Sequence, residues 1–309
     1  MNQLSRINYY NILAMLAAAC LALFIPFELV LLSYAILGPA HYLTEISWLK
    51  GRQFFTLKKY DYLFIVSILI LALIFKLPYA NLLFYTFGLS FLLLFIKGNV
   101  KRLIGAILLV VAGYFLLGHN LLRTIFALYM PTLIHVYIFT GAFLLFGALK
   151  SKDISGYLAF ITFLLCPVLL CILFTDWHSM PTNWAVNNYK PFVSLNTTTF
   201  RNQVINIYTN KGSVILTRVI AFAYTYHYLN WFSKTRVINW HRISSRRAII
   251  IGLIWAASVA LYFFNYRIGY RWLFMLSLLH VVLEFPLNHR SFMGIGREIR
   301  NRFLPITAK

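Results

Sequence analysis

Residues 156–175 read GYLAFITFLLCPVLLCILFT, which is a run of twenty residues without a charged side chain. As an α-helix this run is about 30 Å long, which matches the thickness of the hydrocarbon core of a bilayer. Charged residues lie on both sides of it, with Lys150 and Lys152 before the run and Asp176 after it. Residues 156–175 are therefore predicted to form a transmembrane helix.

Apolar runs of the same character recur from one end of the chain to the other. Of the 309 residues, 61% are hydrophobic and 11% are charged, whereas about a quarter of the residues of a soluble domain are charged. The candidate spans are residues 8–25, 27–48, 62–75, 81–96, 103–117, 122–149, 156–175, 213–233, 248–265 and 271–288. The sequence thus predicts an all-α, polytopic integral membrane bundle of about ten transmembrane helices, with residues 1–309 in a single transmembrane domain.

The basic residues predict the orientation of these helices. Each even-numbered span is followed by a segment rich in Lys and Arg. In chain order, the five segments contain Lys50, Arg52, Lys58 and Lys59; Lys97, Lys101 and Arg102; Lys150 and Lys152; Lys234, Arg236, Arg242, Arg246 and Arg247; and Arg290, Arg297, Arg300 and Arg302. By the positive-inside rule, both termini are expected to be cytoplasmic. The formal net charge of +21 is then explained by loops that face anionic lipid, and no nucleic-acid partner is expected.

The loops on the opposite side are short, with one exception. Residues 176–210 form a polar and aromatic stretch between the seventh and eighth spans. We expect this segment to fold over the outer face as an extracytoplasmic cap loop.

Ionisable side chains inside the predicted spans carry the functional information, because a charge in the bilayer costs several kcal/mol unless it is paired or hydrated. The second, sixth, eighth and tenth spans contain His41, His135, His227 and His280. At 1.5 Å per helical residue, His41, His227 and His280 lie about 14, 11 and 15 Å from the basic ends of their helices. These three histidines are predicted to share one layer, which His135 joins only if its helix projects from the membrane or kinks at Pro131.

Two of these histidines belong to a repeated pattern, His41-x-x-x-Glu45 and His280-x-x-x-Glu284. Residues four apart project from the same face of a helix. Imidazole nitrogen and carboxylate oxygen suit Fe, Mn or Zn, and the carboxylate either binds the metal or holds the second nitrogen of the histidine. The pattern indicates a metal or proton-handling site, and the alternative is that these residues only form hydrogen bonds between helices.

Aromatic residues surround His227 in the segment Tyr-Thr-Tyr-His-Tyr-Leu-Asn-Trp, residues 224–231. Tyr224, Tyr228 and Trp231 are expected to wall a pocket for a flat apolar substrate that arrives from the bilayer. The alternative interpretation is that they are packing or interfacial anchors.

The contexts of the four histidines resemble a known family. They are Gly38-Pro39-Ala40-His41 with Glu45, Leu133-Ile134-His135, Tyr224-Thr225-Tyr226-His227, and Leu279-His280 with Glu284. In this order they resemble the bacterial membrane β-carotene dioxygenases related to the Brp and Blh proteins. Members of that family are multi-helix membrane proteins that split β-carotene at its central double bond to give retinal, using dioxygen and histidine-held non-haem iron.

The resemblance implies that His41, His135 and His227 are iron ligands, that His280 is a further site residue and that Glu45 supports the site. Two positions depart from the family pattern. Trp231 stands where the family has a second histidine, and Thr140 stands near the place of an acidic residue. Two interpretations follow: His280 or Glu284 completes the coordination of the metal, or the site has lost its metal.

The leading hypothesis is therefore a membrane-embedded Fe(II) oxygenase that uses dioxygen to cleave or oxidise a lipid-soluble, β-carotene-like polyene, in the bacterial inner membrane. The expected metal site is His41, His135, His227 and His280; the expected catalytic residues are Glu45 and Glu284; and the expected substrate contacts are Tyr224, Tyr228, Trp231 and Thr140. Besides this small-molecule substrate and dioxygen, the expected partner is membrane lipid. The alternatives are a proton-coupled transporter and a non-catalytic subunit of a membrane complex.

Overall fold

The computed structural model describes residues 3–173, 180–193 and 210–303, and within these ranges it is all-helical without strands. The α-helices are α1 (Gln3–Phe24), α2 (Pro26–Leu32), α3 (Gly38–Gly51), α4 (Tyr62–Ile74), α5 (Tyr79–Phe95), α6 (Asn99–Leu116), α7 (Asn120–Thr124), α8 (Thr140–Ser151), α9 (Ile154–Ile172), α10 (Asn183–Val193), α11 (Lys211–Ser233), α12 (Thr235–Ile238), α13 (Ser245–Phe264) and α14 (Tyr266–Phe303). Two π-helical segments, Ser33–Leu37 and Ile125–Phe139, join α2 to α3 and α7 to α8. The all-α prediction is confirmed.

Within the described residues, seven helices are long and apolar enough to cross a membrane. They are Gln3–Phe24, Pro26–Gly51, Asn99–Leu116, Asn120–Ser151, Ile154–Ile172, Ser245–Phe264 and Tyr266–Arg302. The helices over predicted spans three and four, α4 and α5, are apolar but shorter. The helix over predicted span eight, α11, is not one of the seven and carries Lys211 and Arg218.

Helix α6 has the apolar surface expected of a helix in contact with lipid. Of its eighteen residues only Gly113 is buried, and large apolar side chains such as Leu103, Ile107 and Leu108 are more than half exposed. An exposed apolar surface of this extent is rare on soluble monomers. Contact with lipid explains it, because a helix in hydrocarbon satisfies its own backbone hydrogen bonds.

The helices group into two compact units, Met1–His41 with Gly147–Phe274, and Tyr42–Phe146 with Met275–Lys309. In the first unit, α11 packs against α1, α2 and α9. Asn11 of α1 accepts hydrogen bonds at Oδ1 from the Tyr226 hydroxyl at 3.1 Å and from the Ser233 hydroxyl at 2.9 Å. Because a buried polar group without a partner is costly, these bonds fix the register of α1 against α11.

Glu28, which the sequence places inside the second span, lies in the first turn of α2 in the first unit. Its Oε1 accepts hydrogen bonds from the backbone N–H of Thr182 at 2.7 Å and from the Thr182 hydroxyl at 2.8 Å. Thr182 directly precedes α10, whose Ala185 packs with Phe27 and Leu31 of α2. Glu28 thus holds the start of α10, a helix of the predicted cap; residues 176–179 and 194–209 of that cap lie outside the described residues.

In the second unit, an ion pair fixes the connection between α3 and α4. Two nitrogens of the Arg102 guanidinium lie 3.0 and 3.1 Å from the two carboxylate oxygens of Asp61. Asp61 is buried and also accepts a hydrogen bond from the backbone N–H of Lys58 at 3.0 Å. Arg102 donates further to the carbonyls of Leu93 and Ile96. Each polar atom of the two side chains therefore forms a hydrogen bond.

We expect Asp61→Asn to destabilise the protein by about 3 kcal/mol, because removal of one partner from a buried ion pair leaves the other charge uncompensated. The measurement is denaturation of the purified protein in detergent micelles. Lys58→Gln is the matched control, since it removes an exposed hydrogen bond to Asn99 in the same region and should change stability by less than about 0.5 kcal/mol. Equal effects of the two substitutions would contradict a structural role for the Asp61–Arg102 pair.

Candidate metal centre

His41 lies in the first turn of α3, directly after the π-helical segment Ser33–Leu37. Segments of π-helix widen one turn of a helix and occur frequently at functional sites. The hydroxyl of Ser33 in this segment lies 2.7 Å from the hydroxyl of Thr225 in α11, and both groups are buried. This hydrogen bond holds the residues before His41 against the part of α11 that carries His227.

His41 and His227 are buried and in contact within the first unit. Their ring centroids are 4.7 Å apart and the rings meet edge to face, at 78°. The ring of Tyr228 lies 5.3 Å from the ring of His41, and that of Trp231 lies 5.5 Å from it. Tyr224 is one step further away, 6.1 Å from Tyr228. The aromatic side chains expected around His227 are therefore gathered around this histidine pair.

A second group of buried ionisable residues lies in the second unit. The Nε2 atoms of His135 and His280 are 3.0 Å apart, and Nδ1 of His135 lies 3.2 Å from Oε2 of Glu284. On its other side His280 is covered by Tyr42, whose ring stacks on the imidazole at 4.2 Å between centroids. His135 and His280 thus lie at the same level, as one layer of histidines requires.

His135 reaches this level because of the shape of its helix. The segment Ile125–Phe139 that contains it is π-helical and includes Pro131. A proline removes one backbone donor and disturbs the preceding turn, and the wider π-helical turns shift every later residue relative to a regular α-helix. The depth estimate of 1.5 Å per residue therefore does not apply to this segment. Its departure from a regular α-helix is of the kind that His135 needs in order to join the layer of the other histidines.

The two remaining predicted site residues are also buried. Glu45 lies on α3 one turn after His41, and Thr140 is the first residue of α8. The hydroxyl of Thr140 donates to the carbonyl of Val136 in the preceding turn at 2.8 Å. A substrate at Thr140 would thus meet its methyl group more readily than its hydroxyl hydrogen.

Three of the four predicted histidines form a group that could hold a metal ion. One ring nitrogen from each of His41, His227 and His280 can be chosen so that all three atoms lie within 4.8 Å of one another, and all three residues are buried. Imidazole nitrogens bind metals at about 2.0–2.1 Å, which places two ligands of one ion about 3–4 Å apart. The three histidines could therefore hold a metal ion, and three neutral imidazoles suit Fe, Zn, Cu or Ni.

The fold and this site define the class of protein as a helical protein with apolar helices long enough to span a membrane and a buried histidine cluster that could hold a metal. Comparison with protein-family models, with curated proteins and with solved structures finds no match for this chain. The family suggested by the histidine motifs therefore stays a prediction, and the site has to be interpreted from its own geometry.

Sequence reasoning missed two buried residues, one of which contacts a histidine of this group. Tyr42, which stacks on His280, follows His41 in the chain and carries no signal of its own. Arg218 is completely buried in α11, nine residues before His227. This arginine could have been found, because a cation inside a predicted span is as costly as a carboxylate and needs a reason of the same kind.

Proposed function

We propose that this chain is a membrane-embedded non-haem iron oxygenase that cleaves or oxidises a lipid-soluble, β-carotene-like polyene to a retinal-like product. The observation that carries the proposal is the buried group of His41, His227 and His280, with ligand atoms within 4.8 Å, in a chain whose helices are suited to lipid. Fe(II), when held there, would supply the activation of dioxygen. Dioxygen and a polyene both dissolve in the bilayer, so neither substrate needs an aqueous route.

In this proposal Glu284 and His135 position His280. A carboxylate oxygen 3.2 Å from Nδ1 of His135 favours a proton on that nitrogen, and Nε2 of His135 is then an acceptor. The Nε2–H group of His280 donates to it across 3.0 Å, which leaves Nδ1 of His280 for the metal. Carboxylate partners commonly fix metal-binding histidines in this way. His135 is thus assigned a supporting role and not the ligand role that the family resemblance implies.

The aromatic residues beside His41 are proposed to hold the polyene. The rings of Tyr228 and Trp231 contact His41, and Tyr224 extends the same surface. Flat aromatic walls bind a conjugated chain through apolar contact and can select which double bond faces the metal. Thr140 and Glu45 complete the proposed set of substrate and support residues.

The proposed placement in the membrane has ten crossings with both termini in the cytoplasm, in a bacterial inner membrane. Helices cover all ten predicted spans, and basic residues follow each even-numbered one. Helix α11 is not among the helices that are long and apolar enough to cross a membrane. We propose that it crosses inside the protein, where its buried Arg218 is shielded from lipid.

Metal analysis with a turnover assay tests the proposed function. Protein purified without oxygen should contain about one iron per chain, and addition of β-carotene and dioxygen should give a retinal-like aldehyde that is measured by chromatography. His241→Ala is the control, because His241 is exposed in a loop after α12, and should keep both iron and turnover. The proposal would be overturned if the protein contained no iron as purified and, after loading with Fe(II), left β-carotene and related polyenes unchanged.

A proton-coupled transporter is the second candidate, and the observation that favours it is the chain of protonatable groups formed by Glu284, His135 and His280. Such chains carry protons in pumps and transporters. Protein reconstituted in vesicles would then take up protons together with a solute and would bind no stoichiometric metal. Glu28 does not support this candidate, because its carboxylate is engaged by Thr182.

A further inference from the structure

A cavity of about 410 Å³ lies in the second unit, along α5 and the last turns of α14. Its lining includes Phe91, Phe95, Phe292, Met293, Arg297 and Arg300. The volume falls within the range of sites for small ligands. Phe292 and Met293 are about half exposed, so the cavity is an open groove that a molecule in the bilayer can enter from the side.

The wall of this groove is apolar and firmly held. Nε2–H of His289 donates to the carbonyl of Phe87 and contacts the hydroxyl of Ser90, each at 3.0 Å. The Nε2 atom of the imidazole is thereby satisfied, and the rings of Phe91 and His289 pack edge to face at 5.5 Å. What remains toward the groove is a row of aromatic and methionine surfaces, which suits a hydrocarbon chain and offers little to a polar solute.

The charged side chains that line the groove in the described part of the chain lie near the end of α14. Arg297 and Arg300 are one helical turn apart, both are exposed, and neither guanidinium forms an ion pair within the part of the chain that the structure describes. Among the residues that the structure describes, no acidic side chain lines the groove. Two guanidinium groups at this spacing match the oxygens of a phosphodiester, which they bind with paired N–H donors.

We propose that this groove binds an anionic phospholipid, with one acyl chain along Phe91, Phe95 and Phe292 and the headgroup phosphate at Arg297 and Arg300. The apolar wall and the paired cations are complementary to the two parts of such a lipid. The position agrees with the general distribution of charge in the chain, since basic segments at membrane surfaces attract anionic lipids. The site is separate from the histidine cluster and does not depend on the proposed oxygenase activity.

Gly296 offers a way to fill the groove without disturbing the fold. It lines the groove, and a Cβ atom added to it meets nothing within 4 Å. Gly296→Leu should therefore fold normally, because leucine also favours helix over glycine, while its side chain occupies the space of the acyl chain. Gly252→Leu, at an equally open helical position in α13, is the matched control.

The experiment is native mass spectrometry of the purified protein with phosphatidylglycerol, phosphatidylcholine or inorganic phosphate added. We expect the wild type to bind phosphatidylglycerol at least tenfold more tightly than phosphatidylcholine, and inorganic phosphate not to displace the lipid. Arg297→Gln with Arg300→Gln should abolish the preference for phosphatidylglycerol, and Gly296→Leu should weaken binding of phosphatidylglycerol at least tenfold.

Two controls separate this site from general charge attraction. Arg246→Gln with Arg247→Gln removes the same charge from an exposed pair at the start of α13 and should leave the preference unchanged, as should Gly252→Leu. Equal binding of the two lipids by the wild type would overturn the proposal. Displacement by phosphate, or an unchanged preference in the Arg297/Arg300 double variant or in Gly296→Leu, would also overturn it.

Discussion

His41→Ala and His227→Ala should each reduce the bound metal to less than about a tenth of the wild-type content, together with loss of turnover. Each substitution removes one of three nitrogens that lie within 4.8 Å, and the loss of a direct ligand should exceed the 10–100-fold weakening that follows loss of a supporting residue. The helices themselves should persist, because their backbone hydrogen bonds are internal and are retained in lipid. Elemental analysis of protein purified without oxygen gives the metal content, and circular dichroism gives the helix content.

His241→Ala is the control for metal content, since this exposed histidine is not part of the cluster. A second control is His289→Ala, which removes a buried histidine that bonds Phe87 and Ser90 and should lower stability without lowering the metal content. If either His41→Ala or His227→Ala kept the full metal content and turnover, that histidine would be a packing residue and the proposed metal centre would be refuted.

The positions of the helices could be predicted from the sequence, because the length and hydrophobicity of an apolar run indicate where a helix suited to a bilayer forms. The run 156–175 is uncharged over the thickness of a bilayer and became α9, Ile154–Ile172. The grouping of His41, His227 and His280 could also be predicted, because regular α-helices convert residue counts into depth at a fixed rate. Both predictions needed only properties that are local to one helix.

Contacts between helices could not be predicted in the same way. Nothing in the sequence around His135 indicates a π-helical segment of fifteen residues, since this backbone is stabilised by packing against neighbours and not by local preference. The stacking of Tyr42 on His280 likewise depends on how two helices face each other. Glu28 seemed to be a carboxylate within a span, and only the position of Thr182 gives it a structural partner.

The second large effect is expected from His135→Phe, and it separates a ligand from a positioning residue. Phenylalanine keeps the ring but removes both nitrogens, so that His280 loses the acceptor 3.0 Å from its Nε2. We expect metal affinity to fall 10–100-fold, as is usual when a supporting partner of a metal-binding histidine is lost. Titration of metal-free protein with Fe(II) or Zn(II) measures this affinity directly.

The form of the titration decides between the two roles of His135. A positioning residue predicts that His135→Phe still reaches the full metal content at high metal concentration, whereas His227→Ala does not. Glu284→Gln should give a smaller weakening in the same direction, because it keeps the shape of the side chain beside Nδ1 of His135 but replaces one carboxyl oxygen with an amide nitrogen. Ser291→Ala, which deletes a hydroxyl bonded to Leu287 in the same helix, should have no effect on affinity. If His135→Phe behaves like His227→Ala at every metal concentration, His135 is itself a ligand, and the assignment of Glu284 and His135 as supports of His280 is wrong.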